Sequence, residues 1–471
     1  MRNHAMKTKH SVRTVTARYT WDRLKVSFWF APLVMSLGAI VLVWVMNWLD
    51  RRIPNELLQN SNLVLSASAD QLRSILVGMA TSILATAGVV FTLLTLPLST
   101  VAAQYGSRLL RLFLGDRITQ LVLGMFVGTF VYCITAATSI PTAEAALEAP
   151  QILVTIGLLL MMATFGSLIL LVQHISTMLQ APQIAAAAGE ELLEVVQSEI
   201  LDDASGDARP TGQPAPGAPT VQNAMAESQG YPVRVPGSGY IQFIDPEYML
   251  TLAQAKNLVI RLLRKPGDFV WPGEVVALIW PGGGKGGPRL PEKPGQIDQE
   301  MDKQIRRAFR FGKQRTPTQD VEYAVNQLVE MAVRAMSPAI NDPFTAMTCL
   351  DYLGNGLALF AQKGEEMPNI YDRDGRLRLV FEPVPFELLL NAAFAMLRHA
   401  SCDNASILLY MLEVIEAIGQ EAKAPEIHQQ LLRQISLIQA ESLAGALIEQ
   451  DRQLIQRRAE AMQMKWAATS V

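Results

Sequence analysis

The chain has 471 residues, of which half are hydrophobic and 18% are charged, and its formal net charge is −3. This length is enough for two or three domains. A charge so close to neutral offers no strongly basic surface, so we expect no nucleic-acid partner. The three cysteines are far apart in the sequence and form no CxxC pair, which argues against a disulfide framework or a structural zinc site.

Charged residues are distributed unevenly along the chain. Asp, Glu, Lys and Arg are absent from four long stretches at 26–49, 74–107, 118–143 and 149–189, whereas charges are frequent after Glu190. A transmembrane helix needs roughly 20 mostly apolar residues. The sequence therefore predicts a membrane α-helical domain of four transmembrane helices. We place them at about 28–48, 75–98, 118–140 and 152–173, within a transmembrane domain at 28–175.

The distribution of Lys and Arg predicts the orientation of these helices. A basic leader at 1–27 and a basic link that holds Arg108, Arg111 and Arg117 fall on the same side of the membrane if all four helices span it. Cytoplasmic loops carry an excess of Lys and Arg. We therefore expect a multi-pass protein of the bacterial inner membrane, in contact with the lipid bilayer and with both termini in the cytosol.

The second predicted span carries a stripe of small and hydroxyl-bearing residues at spacings of three and four, which places them on one helix face. Such a stripe favours close packing of helices, or alternatively it lines a pore or cavity. The third span contains Gly124 and Gly128, a GxxxG step that predicts close packing. No ionisable residue lies at the centre of a span, which argues against a charge-coupled transporter. The stripe consists of Thr81, Ala85, Gly88, Thr92, Thr95 and Ser99.

The cytosolic α+β region divides by composition into four parts. We predict a helical stalk at 176–200, a flexible linker rich in Pro, Gly and Ala at 201–230, a small β domain at 231–290 and a mostly helical domain at 291–471. In the β domain GYIQFID, KNLVIRLL and EVVALIW have the composition of strands. The GDFVWPG step between the last two resembles half of the barrel-sandwich fold of biotinyl and lipoyl domains. A barrel-sandwich-like module without an attached cofactor is therefore expected.

Two polar features mark the start of the helical domain. A cluster of arginines favours a solvated basic surface, and the alternative is a site that binds an anionic ligand or lipid headgroups. After it, RTPTQD has the pattern of a capping box, with Thr316 as the cap and Gln319 three residues later. In SPAINDPFTA, Asp342 is expected to cap a helix whose first residue is Pro343. The arginine candidates are Arg306, Arg307, Arg310 and Arg315.

No motif of a known active site is present. The five histidines form no paired metal motif, and there is no nucleophile elbow, kinase signature or dinucleotide-binding fingerprint. We therefore predict no catalytic residues, no metal and no cofactor. Whether the protein is an enzyme stays open, although the absence of motifs favours a protein that is not one.

The chain resembles a family of bacterial predicted membrane proteins that is catalogued as a domain of unknown function. AAQYGSRLLRLFLGD, LGMFVGTFVYCI, the end of the fourth span at His174, GYIQFID, RTPTQD and SPAINDPFTA carry the resemblance. It implies four membrane helices and a cytosolic C-terminal region but no activity. The residues that match the motifs are Arg108, Asp116, His174, Gln319, Asp320, Asn341, Asp342, Pro343 and Thr345.

Three hypotheses about function follow. The first is a homo-oligomeric channel or pore-like protein, regulated by its cytosolic domain, that passes an ion or small anionic ligand. The second is a membrane-anchored sensor or scaffold that binds an anionic ligand, a lipid headgroup or a protein partner. The third is a membrane-bound enzyme that uses Asp320 and Asp342.

Overall fold

The computed structural model describes residues 29–50, 52, 68–104, 116–140, 150–178, 180–204, 230–282, 299–363, 369–372 and 374–469. The leader at 1–27, Arg108 and most of the predicted linker lie outside these ranges. The chain divides into two compact units, Met1–Ile184 and Ala185–Val471.

In the described part of the first unit, four helices are long and apolar enough to cross a membrane, and they coincide with the predicted spans. The second and fourth helices extend beyond the spans placed at 75–98 and 152–173, because the charge-free runs at 74–107 and 149–189 are longer than a bilayer is wide. The helices are α1 (Phe30–Asp50), α2 (Ala69–Gln104), α3 (Arg117–Ser139) and α4 (Gln151–Met178).

Glycines bring α1 and α3 into close contact. A Cβ atom on Gly124 would lie 2.5 Å from Met35 Sδ, and one on Gly128 would lie 3.4 Å from the backbone oxygen of Met35. In a membrane, where lipid is as apolar as leucine, helices associate largely through such close packing. The GxxxG step of α3 is therefore a packing surface for α1, as the sequence predicts.

Polar side chains satisfy the backbone at one end of this helix bundle. The Asp50 carboxylate, at the end of α1, accepts hydrogen bonds from the backbone N–H groups of Ile152 and Leu153 at 3.0 and 2.9 Å. Arg73, near the start of α2, donates to the carbonyl oxygens of Ala137 and Ile140 at the end of α3. The negative Asp50 carboxylate thus lies at the N-terminus of α4, and the positive Arg73 guanidinium lies at the C-terminus of α3. Both placements agree with the direction of the helix dipole. At this end of the bundle these contacts join α1 to α4 and α2 to α3.

The second unit is built from short strands and helices. Helix α5 begins just before the boundary of the unit and extends to Ala204, four residues into the predicted linker. Within the unit it packs on a later helix, because Gly189 lies directly against the ring of Tyr352. The first elements of the unit are α5 (Ala181–Ala204), β1 (Tyr231–Arg234), β2 (Gly239–Ile244), α6 (Pro246–Lys256), β3 (Leu258–Leu262), β4 (Phe269–Val270), β5 (Val275–Pro281), α7 (Gln299–Arg306) and β6 (Phe309–Gly312).

The strands form two open sheets and not the barrel expected from the sequence. One sheet has the order β4-β2-β6 and is antiparallel throughout. The other includes β7 (Asn369–Tyr371) and β8 (Leu377–Val380) and has the order β1-β5-β3-β8-β7, in which only β3 and β8 run parallel. Their first and last strands are not paired, so neither sheet closes. Strands that lie after the predicted end of the β domain at 290 complete both sheets, and they include β7 and β8.

The rest of the unit is helical, as expected. Helix α8 packs against α9 and α10, α9 packs against α11, and the last two helices form a hairpin. The helices are α8 (Val321–Ala335), α9 (Pro343–Lys363), α10 (Phe386–Ala400), α11 (Ala405–Glu421), α12 (Pro425–Ala444) and α13 (Glu449–Thr469).

A buried ion pair fixes the β7–β8 hairpin to the sheet. Arg378 donates to Asp372 Oδ2 at 2.7 Å and to Asn257 Oδ1, at the end of α6, at 2.8 Å. Burial opposes ionisation of Asp372, but the backbone N–H of Arg376 and the Arg378 guanidinium outweigh it and lower the pKa of this carboxyl group. The hairpin turn thus supplies the counter-charge that Arg378 needs inside the protein.

Replacement of Asp372 should destabilise the second unit in a pH-dependent way. We expect Asp372→Asn to lower the free energy of unfolding by roughly 3 kcal/mol at neutral pH, because it leaves a buried guanidinium without a counter-charge. A lowered pKa stabilises the fold above the ordinary Asp value of about 3.9 and loses that effect as the pH falls through the native value. Thermal unfolding of the full chain in detergent should therefore show a difference between wild type and variant that shrinks below about pH 4.

The matched control for this experiment is Asp374→Asn. Asp374 lies in the same turn, and its side chain is exposed. If Asp374→Asn lost as much stability as Asp372→Asn, the role given to the ion pair would be wrong. The same holds if the difference between wild type and Asp372→Asn did not shrink in acid.

Candidate functional site

The stripe on α2 lies on the outside of the helix bundle. All six of its residues are exposed, whereas the residues with which α2 packs into the bundle are fully buried. With about 100° of rotation per residue, the stripe lies on the face directly opposite to that buried face. Among the described residues, the stripe therefore does not face another helix of this chain. The buried residues are Leu72, Leu76, Ile83 and Val90.

The hydroxyl groups of the stripe donate to their own helix. Thr81 donates to the Val77 carbonyl at 2.9 Å, Thr92 to that of Gly88 at 3.0 Å, and Thr95 to that of Phe91 at 3.0 Å. A hydroxyl group has one proton and two acceptor lone pairs. Because the proton is used within the helix, these oxygens present acceptor lone pairs to whatever lies beside the stripe.

Bulky residues border the stripe on both sides. A Cβ atom on Gly88 would meet nothing within 4 Å, so the centre of the stripe is open. Leu84 and Phe91 are exposed along one flank, and Val89 and Leu96 along the other. Together they shape a shallow groove that runs along α2.

The other end of the bundle brings two family-motif residues together. Asp116 caps α3 by accepting a hydrogen bond from the Thr119 N–H at 2.7 Å. Its Oδ2 lies 3.0 Å from His174 Nε2 of α4, an ion-pair distance, although the ring is not aligned for a hydrogen bond. The sequence indicated neither this contact nor any partner for His174. The pair connects the start of α3 to the end of α4.

The RTPTQD segment forms a different cap from the one predicted. Asp320, and not Thr316, caps α8, accepting from the Tyr323 N–H at 2.9 Å. Thr316 instead donates its hydroxyl proton to the Gln242 carbonyl on β2. Asp320 also accepts two hydrogen bonds from Arg315, at 2.7 and 2.8 Å. Burial raises the pKa of Asp320, and the Arg315 guanidinium opposes that rise.

Gln319 and Asp320 attach this segment to the three-stranded sheet. The Gln319 amide accepts from the Ile244 N–H at 2.9 Å and donates to the Ile244 carbonyl at 3.1 Å, so it pairs with the end of β2 as another strand would. Asp320 packs directly on Gly267, which has a φ of +94° and no room for a Cβ atom beside the Asp320 carboxylate. The GYIQFID and RTPTQD motifs therefore form one structural joint.

The SPAINDPFTA segment connects α8 to α9. As predicted, Asp342 caps α9, whose first residue is Pro343, and it accepts from both the N–H and the hydroxyl group of Thr345. The Asp342 N–H donates to the Ala335 carbonyl at the end of α8, and Asn341 has a φ of +47° that closes the turn. Asp320 and Asp342 thus both hold helix termini, a structural role that explains their presence without catalysis.

The four candidate arginines have different environments. Arg315 binds Asp320, and Arg306 pairs with Asp302 at 2.7 Å. Arg310 donates to the Arg307 carbonyl at 2.8 Å, and within the described ranges neither Arg307 nor Arg310 has a carboxylate partner. Among the described residues, Arg307 and Arg310 are therefore the two candidates without a carboxylate in ion-pair contact.

The joint around Asp320 predicts a large effect of mutation. We expect Asp320→Ala to lower the free energy of unfolding by about 3 kcal/mol, since it leaves Arg315 partly buried without its bidentate partner and α8 without its cap. Thermal unfolding of the full chain in detergent measures the loss. Hydrogen exchange of the first turn of α8 should also accelerate.

The control is Glu322→Gln, because Glu322 is more exposed and lies 3.7 Å from Arg315. This variant should lower the free energy of unfolding by less than about 1 kcal/mol. Equal losses in both variants would contradict the assignment.

Comparison with known proteins agrees with the architecture. The model of the family described as Predicted membrane protein (DUF2254) matches residues 25–417. Among curated proteins, Uncharacterized protein Rv1290c of Mycobacterium tuberculosis and Uncharacterized protein Mb1321c of Mycobacterium bovis are similar to the chain. Each is 26% identical over 395 residues, which cover 83% of this chain and 72% of the relative. No solved structure was found to match.

The family match extends over most of the chain, from before α1 into α11, and therefore includes both the four apolar helices and the joint between RTPTQD and the three-stranded sheet. The chain belongs to the family of predicted membrane proteins of unknown function called DUF2254.

Proposed function

We propose that the protein is a homo-oligomeric channel of the bacterial inner membrane, in which the α2 stripes of several copies face a common path and the C-terminal unit regulates that path. The observation that carries the proposal is the exposure of the whole stripe on the side of α2 opposite to the bundle core. Small residues that do not pack within their own chain are suited to approach by a neighbouring copy or to contact with water.

The chemistry of the groove supports passage of a cation. No Asp, Glu, Lys or Arg lies between Arg73 and Arg108, so the path would carry no fixed charge. The Thr92 and Thr95 hydroxyl protons are bonded within the helix, which leaves oxygen lone pairs to face the path. Oxygen acceptors replace the hydration shell of a cation, as carbonyl oxygens do in selectivity filters.

Flux through liposomes tests the proposal. Thr92→Leu places a larger apolar side chain at the centre of the stripe, so ion flux should fall to the level of protein-free vesicles while the oligomeric mass in detergent is unchanged. Val89→Leu, one turn away on the flank, adds a similar side chain outside the path and should leave flux as in wild type. No flux from wild-type protein across a panel of monovalent and divalent cations would refute the channel.

Thiol accessibility gives an independent test. After Cys133, Cys349 and Cys402 are replaced by Ser, a cysteine at Thr95 should react with a charged, membrane-impermeant thiol reagent, because water fills the path. A cysteine at Leu96 on the flank should not react. If the thiol reagent reacts at neither position, the stripe contacts lipid or lies in a helix interface without water. The channel proposal would then be wrong, and a scaffold would be the better interpretation.

A further inference from the structure

An exposed row of aromatic rings crosses the three-stranded sheet. Tyr240 on β2 is the cross-strand partner of Phe269 on β4, so both side chains lie on the same face. Trp271 follows two residues later and shares that face. The ring centroids of Tyr240 and Phe269 are 5.0 Å apart, and those of Phe269 and Trp271 are 5.1 Å apart, both edge to face. Trp271 is 67% exposed and Phe269 40%.

The third strand adds a positive charge to this face. Gly312 on β6 lies opposite Tyr240, and Arg310, two residues earlier, shares its side of the strand. The opposite face carries Phe309 and Ile241, which belong to the core. The aromatic face therefore consists of Tyr240, Phe269 and Trp271 on one side and Arg310 on the other.

Further cations lie near the aromatic face. Arg234 donates to the Gly273 carbonyl, just beyond Trp271, and Lys313 is exposed at the end of β6. In the described part of the chain no carboxylate partner is found for Arg234, Arg307, Arg310 or Lys313. Among the acids close by, Glu274 pairs with Arg264 and Asp302 with Arg306, whereas the Asp268 carboxylate, next to Phe269, accepts from the Lys265 N–H. The four cations outnumber this one acid, so the rim carries a net positive charge.

We propose that the aromatic face binds the surface of a bilayer that contains anionic phospholipids. Tyr and Trp have an apolar body and a polar tip and favour the membrane–water interface. The rim cations complement the negative surface potential of anionic lipids. Because the sheet and the four apolar helices belong to one chain, the effective concentration of the sheet at a lipid surface is raised and weak contacts are sufficient. The proposal does not depend on channel activity.

Hydrogen exchange of the full chain in lipid nanodiscs tests this docking. In discs with phosphatidylglycerol, the backbone of 266–275 and 239–244 should exchange more slowly than in discs of phosphatidylcholine alone, and high salt should remove the difference. The double variant Arg310→Glu and Lys313→Glu should remove it as well, and so should Trp271→Ser. Trp271 and Lys313 are exposed and Arg310 is half-buried, so the unfolding temperature of each variant is measured beside that of the wild type and should be the same.

The control variants are Phe344→Ser and Lys423→Glu, which change an exposed aromatic residue and an exposed lysine elsewhere in the same unit. They should keep the lipid-dependent protection. Equal exchange in both kinds of disc would overturn the proposal. Protection reproduced by inorganic phosphate in phosphatidylcholine discs would assign the surface to a free anion, and protection that grows with protein concentration in detergent would assign it to a second copy. Either result would also overturn the bilayer proposal.

Discussion

A backbone N–H or C=O group without a partner in the hydrocarbon of a bilayer costs several kcal/mol, and this constraint governs the first unit. Within a helix the backbone satisfies itself, so the cost is concentrated at helix ends. Asp50 and Arg73 reach across to the ends of neighbouring helices and supply the missing partners. Their bonds run between helices, so they fix the arrangement of the bundle as well as the termini. The bonds of Asp50 and Arg73 lie at the helix ends, and the outer face of α2 with its stripe takes no part in them.

Small residues have two different roles in this unit, although their spacing in the sequence is similar. Gly124 and Gly128 lie against α1 with no room for a side chain, whereas Gly88 has open space around it. The distinction depends on which face of a helix turns inward, and that depends on all four helices together. The spacing alone therefore predicted a stripe on α2 but could not decide what the stripe contacts.

Local patterns predicted the elements that depend on local physics. Charge-free runs predicted the four spans because a stretch of roughly 20 apolar residues is itself the signal for a transmembrane helix. The Asp342–Pro343 pair predicted the start of α9 because a cap acts within one turn. Strand pairing is non-local, so nothing near 231–290 indicated that β6 and the β7–β8 hairpin would complete the sheets. The same limit explains Thr316: it has the spacing of a cap, but β2 supplies a nearby carbonyl and Asp320 takes the capping position. The aromatic face was also missed, although Phe269 and Trp271 alternate as the residues of one strand face do.

The length of α2 has a mechanical consequence. A helix of 36 residues is about 54 Å long at 1.5 Å per residue, whereas the hydrocarbon core is about 30 Å thick. Roughly 20 Å of continuous helix must therefore project beyond the hydrocarbon or be accommodated by tilt. Pro97 lies in the last third of this helix, where it removes one backbone hydrogen bond and favours a bend. The length of the helix that carries the stripe therefore makes its position in the bilayer depend on the thickness of the hydrocarbon.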